Sequence, residues 1–384
     1  MRDAVIVDGV RTPVGKRGGA LAHYHSADLS AHVLNALAER NGLDPAVVDD
    51  VVWGCVNQTG QQAGNVGRMA VLGAGWPESV PASTIDRQCG SSQQSIHFAA
   101  AGLISGQYDI AVAGGVEIMS AVPIGATWAT EQFGLPGGPL VAARYGTGFN
   151  QGLGAEMIAE KWALDRERVD TFSARSHEKL AAAIDSGVFD AQITAVPTAD
   201  GGSLTVDQGL RRGTSLEKLA ALKPVFKEDG VIHAGNSSQI SDGAAGLLMM
   251  TSERARELGM RPICRVHTAV VTGDDPVIML TAPIPATAKA LNRSGLSLSD
   301  IGVYEVNEAF ATVPLAWLHE TGADESRLNP NGGAIAMGHP LGASGARIMT
   351  TMINHMRDNG IRYGLQTMCE GGGMANCTIV ELLG

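Results

Sequence analysis

Aromatic and charged residues are scarce in this chain of 384 residues, at 4% and 17% of the sequence. Hydrophobic residues nevertheless make up 45%, which excludes a disordered, collagen-like or small disulfide-rich protein and indicates a globular protein with substantial cores. The length predicts two or three domains. No apolar run approaches the roughly 18 residues of a membrane-spanning helix, so we expect neither a membrane span nor an export signal.

Positive charge is also in short supply, because 28 lysine and arginine residues are outnumbered by 39 aspartate and glutamate residues. The net charge of −11 excludes non-specific binding to nucleic acid, which needs a positive field. The five cysteines are scattered without a C-x-x-C pair, which disfavours a zinc site and a secreted disulfide framework. We therefore expect a cytoplasmic protein without a bound metal, in which local groups bind any anionic ligand.

Glycine is abundant, with 49 residues, and short apolar runs alternate with helical patterns in the first and last thirds of the chain. This alternation predicts an α/β fold with a mainly parallel sheet. The run Gly42-Leu43-Asp44 leads into a strand pattern at 51–53, and Gly295-Leu296-Ser297 leads into a similar one at 301–303. The match predicts a duplicated chain, although generic α/β alternation can produce a similar order.

A glycine-rich segment separates the two copies and predicts an inserted loop domain at 118–245. The first half then comprises 1–117 together with 246–266, and the second half comprises 267–384. The insert carries the densest basic run of an acidic chain: Arg211, Arg212, Lys218, Lys223 and Lys227. A solvated helix face and a cradle for a polyphosphate both fit this run, and composition does not separate them.

Cys89 stands at the start of a helical pattern with apolar residues at i, i+3, i+4 and i+7. At a helix N-terminus, unpaired amides and the helix dipole favour a thiolate, so we expect a lowered thiol pKa and a competent nucleophile. A small buried core cysteine is the commoner role for a single cysteine. Taken alone, the position leaves both interpretations open.

His339 lies between a glycine and a proline on a loop that enters the corresponding helical pattern of the second copy. A histidine buried in a hydrophobic core rarely needs a flanking glycine and proline. A neutral imidazole at this position can accept the Cys89 proton as a general base, provided that the two repeats bring their equivalent helix starts together.

Two further residues follow strand patterns in the second half. Cys369 precedes three glycines, and a thiol there can exchange a proton with a substrate carbon while the backbone amides, Gly371 among them, hold a developing oxyanion. Asn307 offers an uncharged amide that suits the positioning of a water or carbonyl, but a turn or helix cap would use it equally well.

These residues together resemble the active-site signatures of the thiolases, in the order and spacing of that family. The motifs are Gln88-Cys89-Gly90-Ser91-Ser92, Asn307-Glu308-Ala309-Phe310, Gly338-His339-Pro340 and Cys369-x-Gly371. The resemblance covers essentially the whole chain. It is most similar to degradative thiolases of actinobacteria, including those of steroid catabolism.

The resemblance implies two duplicated βαβαβαββ halves in a five-layered α-β-α-β-α core with an inserted loop domain. It implies that Cys89 is acylated, that His339 activates it, and that Cys369 is the acid and base at the substrate α-carbon. His339 and a water held by Asn307 would form one oxyanion hole, and the amides of Cys89 and Gly371 a second.

The resemblance also implies coenzyme A as a substrate and no prosthetic group. Arg211, Lys218, Phe226 and Ser238 occupy positions at which relatives contact coenzyme A, which favours the cradle interpretation of the basic run. The family further implies a homodimer or homotetramer.

The implied reaction is cleavage of a 3-ketoacyl-CoA by free coenzyme A, giving acetyl-CoA or propionyl-CoA and a shortened acyl-CoA, in fatty-acid or steroid β-oxidation. The alternative is a biosynthetic acetyl-CoA acetyltransferase that forms acetoacetyl-CoA. Asn150-Gln151 replaces the His-Met pair typical of small-substrate relatives, which weakens that alternative. Glu370 is charged where many relatives are small and apolar, and would raise the Cys369 pKa if it faced the site.

Three other interpretations predict different behaviour. A carrier-protein-dependent condensing enzyme lacks the second cysteine, and Cys369 argues against it. A thiol hydrolase using Cys89, His339 and Asn307 has no use for a second reactive thiol. A silent acyl-CoA binding protein predicts no fast-reacting cysteine at neutral pH.

Overall fold

The computed structural model describes residues 2–128, 134 and 136–384. The strands are β1 (Val5–Arg11), β2 (Gly15–Lys16), β3 (Asp50–Gly54), β4 (Ala82–Ile85), β5 (Ile110–Ile118), β6 (Val196–Pro197), β7 (Ser203–Leu204), β8 (Ser241–Met250), β9 (Cys264–Gly273), β10 (Val303–Val306), β11 (Tyr363–Glu370) and β12 (Met374–Leu382). The helices are α1 (Ser26–Asn41), α2 (Val66–Gly73), α3 (Ser91–Ser105), α4 (Pro139–Tyr145), α5 (Gln151–Lys161), α6 (Arg166–Asp185), α7 (Leu216–Ala220), α8 (Ser252–Glu257), α9 (Pro283–Ser294), α10 (Thr312–Thr321), α11 (Ala334–Met337) and α12 (Ser344–Asn359).

Ten strands form one mixed sheet in the order β10-β11-β12-β9-β1-β8-β5-β3-β4, with β2 paired to β8. Within the described residues, the parallel pairs of this sheet are β3 with β4, β3 with β5, and β10 with β11. The other pairs are antiparallel. The prediction of a mainly parallel sheet is therefore wrong, because each half closes with a strand that runs back along the one before it, β8 along β5 and β12 along β11.

The two halves repeat one succession of elements, which confirms the predicted duplication. The first half runs β1, α1, β3, α2, β4, α3, β5, β8, and the second runs β9, α9, β10, α10, α12, β11, β12. In the second half, the counterpart of β4 is reduced to a single parallel bridge between Tyr304 and Leu328. The halves join where β1 pairs with β9 at Val5 and Ile6.

The core has the five layers that the resemblance implies: three layers of helices, with the strands of each half of the sheet forming one of the two β layers between them. Helices α1 and α2 cover the outer face of the first half through apolar side chains such as Leu34. Helices α3 and α12 fill the middle layer, where Ile96 and Met352 share one core with strands of both halves. Helices α9 and α10 cover the other outer face through Ala286 and Trp317. The middle layer therefore contacts both halves and positions α3 against α12.

Close packing fixes the starts of these two helices relative to each other. Gly345 lies directly against the Gln93 backbone, where a Cβ atom would collide with it. The Ala346 N–H donates to Ser92 Oγ at 2.9 Å. The Gln93 side chain reaches across to the second half and donates to Thr378 Oγ1 at 2.7 Å. The N-terminal ends of α3 and α12 are consequently held together near the junction of the halves.

The chain leaves the sheet after Ile118 and returns to it at Ser241. The intervening segment carries α4 to α7 and the short pair β6 and β7. Residues 129–133 and 135 of the predicted insert lie outside the described residues, and the domain limits stay a prediction. Across the part of the chain that the structure describes, no helix has the length and apolar character needed to cross a membrane.

A fully buried ion pair anchors this segment to the sheet. Arg11 on β1 donates to both Asp207 oxygens, at 2.7 and 2.9 Å. The carboxylate also accepts the Val14 N–H at 2.7 Å, and Arg11 Nε donates to Gln192 at 3.0 Å. Both charges are 0% exposed, so removal of one partner would leave the other buried without its counter-charge.

We therefore expect Arg11→Met to lower the free energy of unfolding by about 3 to 5 kcal/mol. Arg40→Met, which removes the partly exposed pair between Arg40 and Asp8, should cost less than about 1 kcal/mol. Urea unfolding followed by circular dichroism measures both. Equal losses in the two variants would contradict the anchoring role of the buried pair.

Candidate active site

Cys89 sits on a strained turn immediately before α3. It is buried and precedes Gly90, the N-cap residue of the helix. The preceding residue, Gln88, has φ +50°, a value that side-chain-bearing residues seldom adopt. The Ser91 hydroxyl stabilises the turn because it donates to the Gln88 carbonyl at 2.6 Å and accepts the Arg87 N–H at 2.9 Å. The turn fixes where the thiol lies relative to the helix.

The expected lowering of the Cys89 pKa is wrong for the free protein. Burial raises the pKa of this thiol to about 12, and the carboxylate of Glu370 adds to the rise. Backbone hydrogen bonding lowers the pKa by less. The helix N-terminus alone therefore does not produce a thiolate, and Cys89 needs a base.

His339 is held on its loop by backbone and hydroxyl groups. Gly338 has φ +114°, and a Cβ atom there would collide with Ser241 Oγ. His339 Nδ1 lies 2.6 Å from Ser344 Oγ, in the first turn of α12. Burial lowers the pKa of His339 to about 3, and the Arg347 guanidinium contributes to the shift. The imidazole is thus neutral and able to accept a proton.

The hydrogen bonds around His339 assign its tautomer. The Ser344 hydroxyl donates to the Pro340 carbonyl at 2.8 Å, so its oxygen accepts from His339, and Nδ1 carries the ring proton. His339 Nε2 is then the free acceptor, and the Asn307 side-chain amide lies 3.3 Å from it. Asn307 is buried and is aligned on the basic nitrogen.

Glu117 binds the loop behind His339 to the first half of the chain. Its carboxylate is 0% exposed and accepts five hydrogen bonds. The donors are the backbone N–H groups of Val56, Asn57 and Gly342 and the side-chain amides of Asn57 and Gln62. The carboxylate therefore bridges the loop after β3 and the loop before α12.

Cys369 is the penultimate residue of β11 and lies inside the same core region. It packs in a cluster with Ala309 and Phe310, which belong to the motif that contains Asn307. Burial raises the pKa of Cys369 well above its ordinary value, and the nearby charge of Cys89 contributes. The two thiols are therefore close enough to influence each other's ionisation, and each opposes a second negative charge.

A cavity of about 530 Å³ borders this region at Ala309 and Phe310. Its wall includes His339, Gly371, Ser238 and Phe226. The remaining wall is largely apolar and contains Met119, Ile124, Trp128, Phe149, Met279 and Leu341, together with Asn150 and Gln151. His339 and Gly371 thus share one cavity with Ser238 and Phe226, and its apolar wall has room for an acyl group.

Arg211 and Lys218 lie at a second, smaller cavity of about 250 Å³. The two cavities share Gln239, and a third depression lined by Arg211, Ser238 and Gln239 lies between them. A long ligand can therefore place an anionic end beside the basic side chains while its other end reaches His339.

The side chains of the basic run differ in whether an ion pair neutralises them. Arg212 pairs with Asp185 at 2.5 Å, and Lys227 pairs with Glu160. Neither Arg211 nor Lys218 forms an ion pair with a described residue, although Lys218 Nζ donates to the Gly213 carbonyl at 2.7 Å. Arg211 and Lys218 line the smaller cavity, so their charge is available to an anionic ligand there, whereas Arg212 and Lys227 are partly neutralised.

Two functional residues escaped the sequence prediction. Ser344 follows His339 by five residues, and a hydroxyl so close to a candidate base is a usable signal. Glu117 is a single carboxylate in the apolar strand pattern 110–118, which marks a buried acceptor. Within the described residues, no group of three or more histidine, cysteine, aspartate or glutamate side chains is placed to hold a metal ion.

Comparisons with known proteins agree over the full chain. Residues 4–253 match the family model described as the thiolase N-terminal domain, and residues 260–382 match the thiolase C-terminal domain. The chain is 50% identical to the steroid 3-ketoacyl-CoA thiolase FadA6 of Mycobacterium tuberculosis, with 100% of this chain and 95% of the relative covered. It is 45% identical to a 3-ketoacyl-CoA thiolase of Klebsiella pneumoniae, with 99% and 100% covered.

A solved structure is also similar. The acetyl-CoA acetyltransferase of Bacillus anthracis superposes with a TM-score of 0.92 at 37% sequence identity, covering 100% of this chain and 99% of that protein. The relatives named for 3-ketoacyl-CoA are more similar in sequence than this acetyltransferase.

If Ser344 fixes the His339 tautomer, Ser344→Ala should slow acylation of Cys89 by acetyl-CoA at least tenfold, a fraction of the roughly 10² to 10⁴ that a positioned base supplies. Intact-mass spectrometry of the acyl-enzyme measures the rate. Ser173→Ala is the matched control, because the Ser173 hydroxyl makes the same kind of bond to the carbonyl four residues earlier. An unchanged acylation rate in Ser344→Ala would contradict the assigned tautomer.

Proposed function

Because the chain belongs to the thiolase family of acyltransferases, we propose that it cleaves 3-ketoacyl-CoA with free coenzyme A, in the degradative direction, through an acyl-Cys89 intermediate. The observation that carries this proposal is that two buried thiols, of which Cys89 raises the pKa of Cys369, lie near a cavity lined by the neutral imidazole of His339. Its relatives of 50% and 45% identity, both named as 3-ketoacyl-CoA thiolases, support the substrate class.

In the first half-reaction, the Cys89 proton passes to His339 Nε2 and the thiolate attacks the 3-keto carbon. The bond between C2 and C3 then breaks, and the electron pair leaves on the enolate of acetyl-CoA. Cys369 protonates the enolate carbon and becomes a thiolate itself. The protonated Nε2 of His339 and a water held by Asn307 stabilise one oxyanion. The backbone amides of Cys89 and Gly371 stabilise the other.

In the second half-reaction, the Cys369 thiolate takes the proton of free coenzyme A. The coenzyme sulfur attacks the acyl thioester on Cys89, and the shortened acyl-CoA leaves. The departing Cys89 sulfur regains its proton from His339, which restores both thiols. Coenzyme A acts as a substrate in this scheme, and its phosphates lie beside Arg211 and Lys218.

The residues that line the cavity beside His339 favour a substrate whose acyl group is longer than acetyl. Asn150 is used as the N-cap of α5, where its side chain accepts the Leu153 N–H at 3.0 Å. Asn150 and Gln151 line the cavity in place of a bulkier pair, beside apolar side chains. We propose a fatty acyl or steroid-derived group as the acyl part of the substrate.

We also propose that the protein forms a homodimer or homotetramer and that it acts in the cytoplasm.

Cys89→Ala should reduce thiolysis of 3-ketoacyl-CoA to below about one thousandth of the wild-type rate, because Cys89 is the nucleophile that forms the acyl intermediate in the proposed mechanism. Cys264→Ala removes an equally buried cysteine on β9 and should retain activity. Loss of the 3-ketoacyl-CoA absorbance measures the rate. Retained thiolysis in Cys89→Ala would overturn the proposal, and product release without free coenzyme A would favour a hydrolase.

The substrate-length series should distinguish a degradative from an acetoacetyl-specific enzyme. We expect kcat/KM to rise by roughly fourfold for each methylene that enters the apolar cavity, corresponding to about 0.8 kcal/mol of transfer free energy. The rise should end when the cavity is full. A maximum at acetoacetyl-CoA would instead favour the biosynthetic alternative.

A further inference from the structure

Glu370 is a buried carboxylate that the proposed mechanism leaves unused. It is the last residue of β11, directly after Cys369, and is 0% exposed. Neither of its oxygens accepts a hydrogen bond of ordinary geometry from a described residue, although the backbone N–H of Asn376 lies close enough to lower the pKa of Glu370. Because burial of an unpaired carboxylate is costly, a charged residue at this position requires an explanation.

The carboxylate lies against the start of the helix that carries the nucleophile. Side chains alternate along a strand, so Glu370 points to the face of β11 opposite to Cys369. Glu370 Oε1 occupies the space beside Gly90, where a Cβ atom would collide with it. On the neighbouring strand β12, Asn376 Nδ2 donates to the Gly90 carbonyl at 3.0 Å. Glu370 is therefore fixed next to the residue that follows Cys89.

The charged groups around Glu370 come from three sides. The loop before α3 contributes the Arg87 guanidinium and the Asp86 carboxylate, β11 contributes Cys369, and Cys89 faces it from the turn. Strand β12 contributes the uncharged Asn376. Burial raises the pKa of Glu370 to about 8, although Arg87 lowers it. A negative charge on Glu370 in turn raises the pKa of Cys89.

We propose that Glu370 is a positioning residue that acts through Cys89: the nucleophile loses its proton readily only while the Glu370 carboxyl is neutral. The step transfers one proton from Cys89 Sγ to His339 Nε2, and Glu370 retains its own proton throughout. The pocket then carries one negative charge instead of two. This inference rests on the proposed role of Cys89 as the nucleophile, but not on the identity of the acyl group.

The test compares the rate at which iodoacetamide alkylates Cys89 in the wild-type protein and in Glu370→Gln between about pH 6 and 10, with the modified peptide identified by mass spectrometry. Below about pH 7 the rates should agree, because Glu370 is then largely neutral. Above about pH 8 the wild-type rate should rise less steeply, leaving the variant roughly tenfold faster near pH 9.5, which corresponds to about one unit in the Cys89 pKa.

Two further variants make the test specific. Glu305→Gln removes another buried carboxyl whose pKa is raised to about 8, on β10, and its alkylation profile should follow that of the wild type. Arg87→Met removes the cation that lowers the Glu370 pKa, so the wild-type divergence should begin at a higher pH. In a Glu370→Gln background, Arg87→Met should leave the profile unchanged.

Superimposable pH profiles for folded Glu370→Gln and the wild type would overturn the proposal. If Glu370→Gln does not fold, an unshifted profile in Arg87→Met would overturn it instead. The assay contains no 3-ketoacyl-CoA, so its result is independent of the substrate assignment. Failure of thiolysis with normal Glu370-dependent alkylation would therefore count only against the proposed function.

Discussion

A carboxylate shared by the two halves of the chain holds the active site together. Glu117 belongs to β5 of the first half, but it accepts N–H groups both from the loop after β3 and from Gly342, close behind His339. A carboxylate without access to water is stable only where donors surround it. Those loops must remain where the donors converge, and the position of His339 relative to the Cys89 turn follows from this requirement.

Residue types in their glycine settings predicted part of the candidate site, but not Ser344 and Glu117, which hold His339 and its loop. The structure brings His339 to Asn307 and couples Cys89 to Cys369. The direction of the Cys89 pKa shift could not be predicted, because it depends on burial and on Glu370, which is 281 positions away along the chain and adjacent only in the folded state. The local sequence therefore predicts where the helix begins, but not which distant residues bury its N-terminus.

The fold shows the same division between local and long-range information. Periodicity located the helices and strands and the duplication, because these depend on neighbouring residues. Strand direction depends on where a distant strand returns, so the alternation predicted a mainly parallel sheet and not the antiparallel pairing of β8 and β12. Likewise, a run of basic residues looks uniform in sequence. In the fold, Asp185 and Glu160 neutralise two of its members, whereas Arg211 and Lys218 line a cavity.

The duplicated architecture places both Cys89 and His339 in the segments that lead into the middle-layer helices, two residues before α3 and five residues before α12. A symmetric scaffold thus serves an asymmetric reaction. Two identical copies would present two nucleophiles or two bases at this junction, and neither pair could complete a proton transfer to its partner. Division of labour between the copies is consequently a condition of activity, and exchange of one half for a second copy of the other would preserve the layers while abolishing the chemistry.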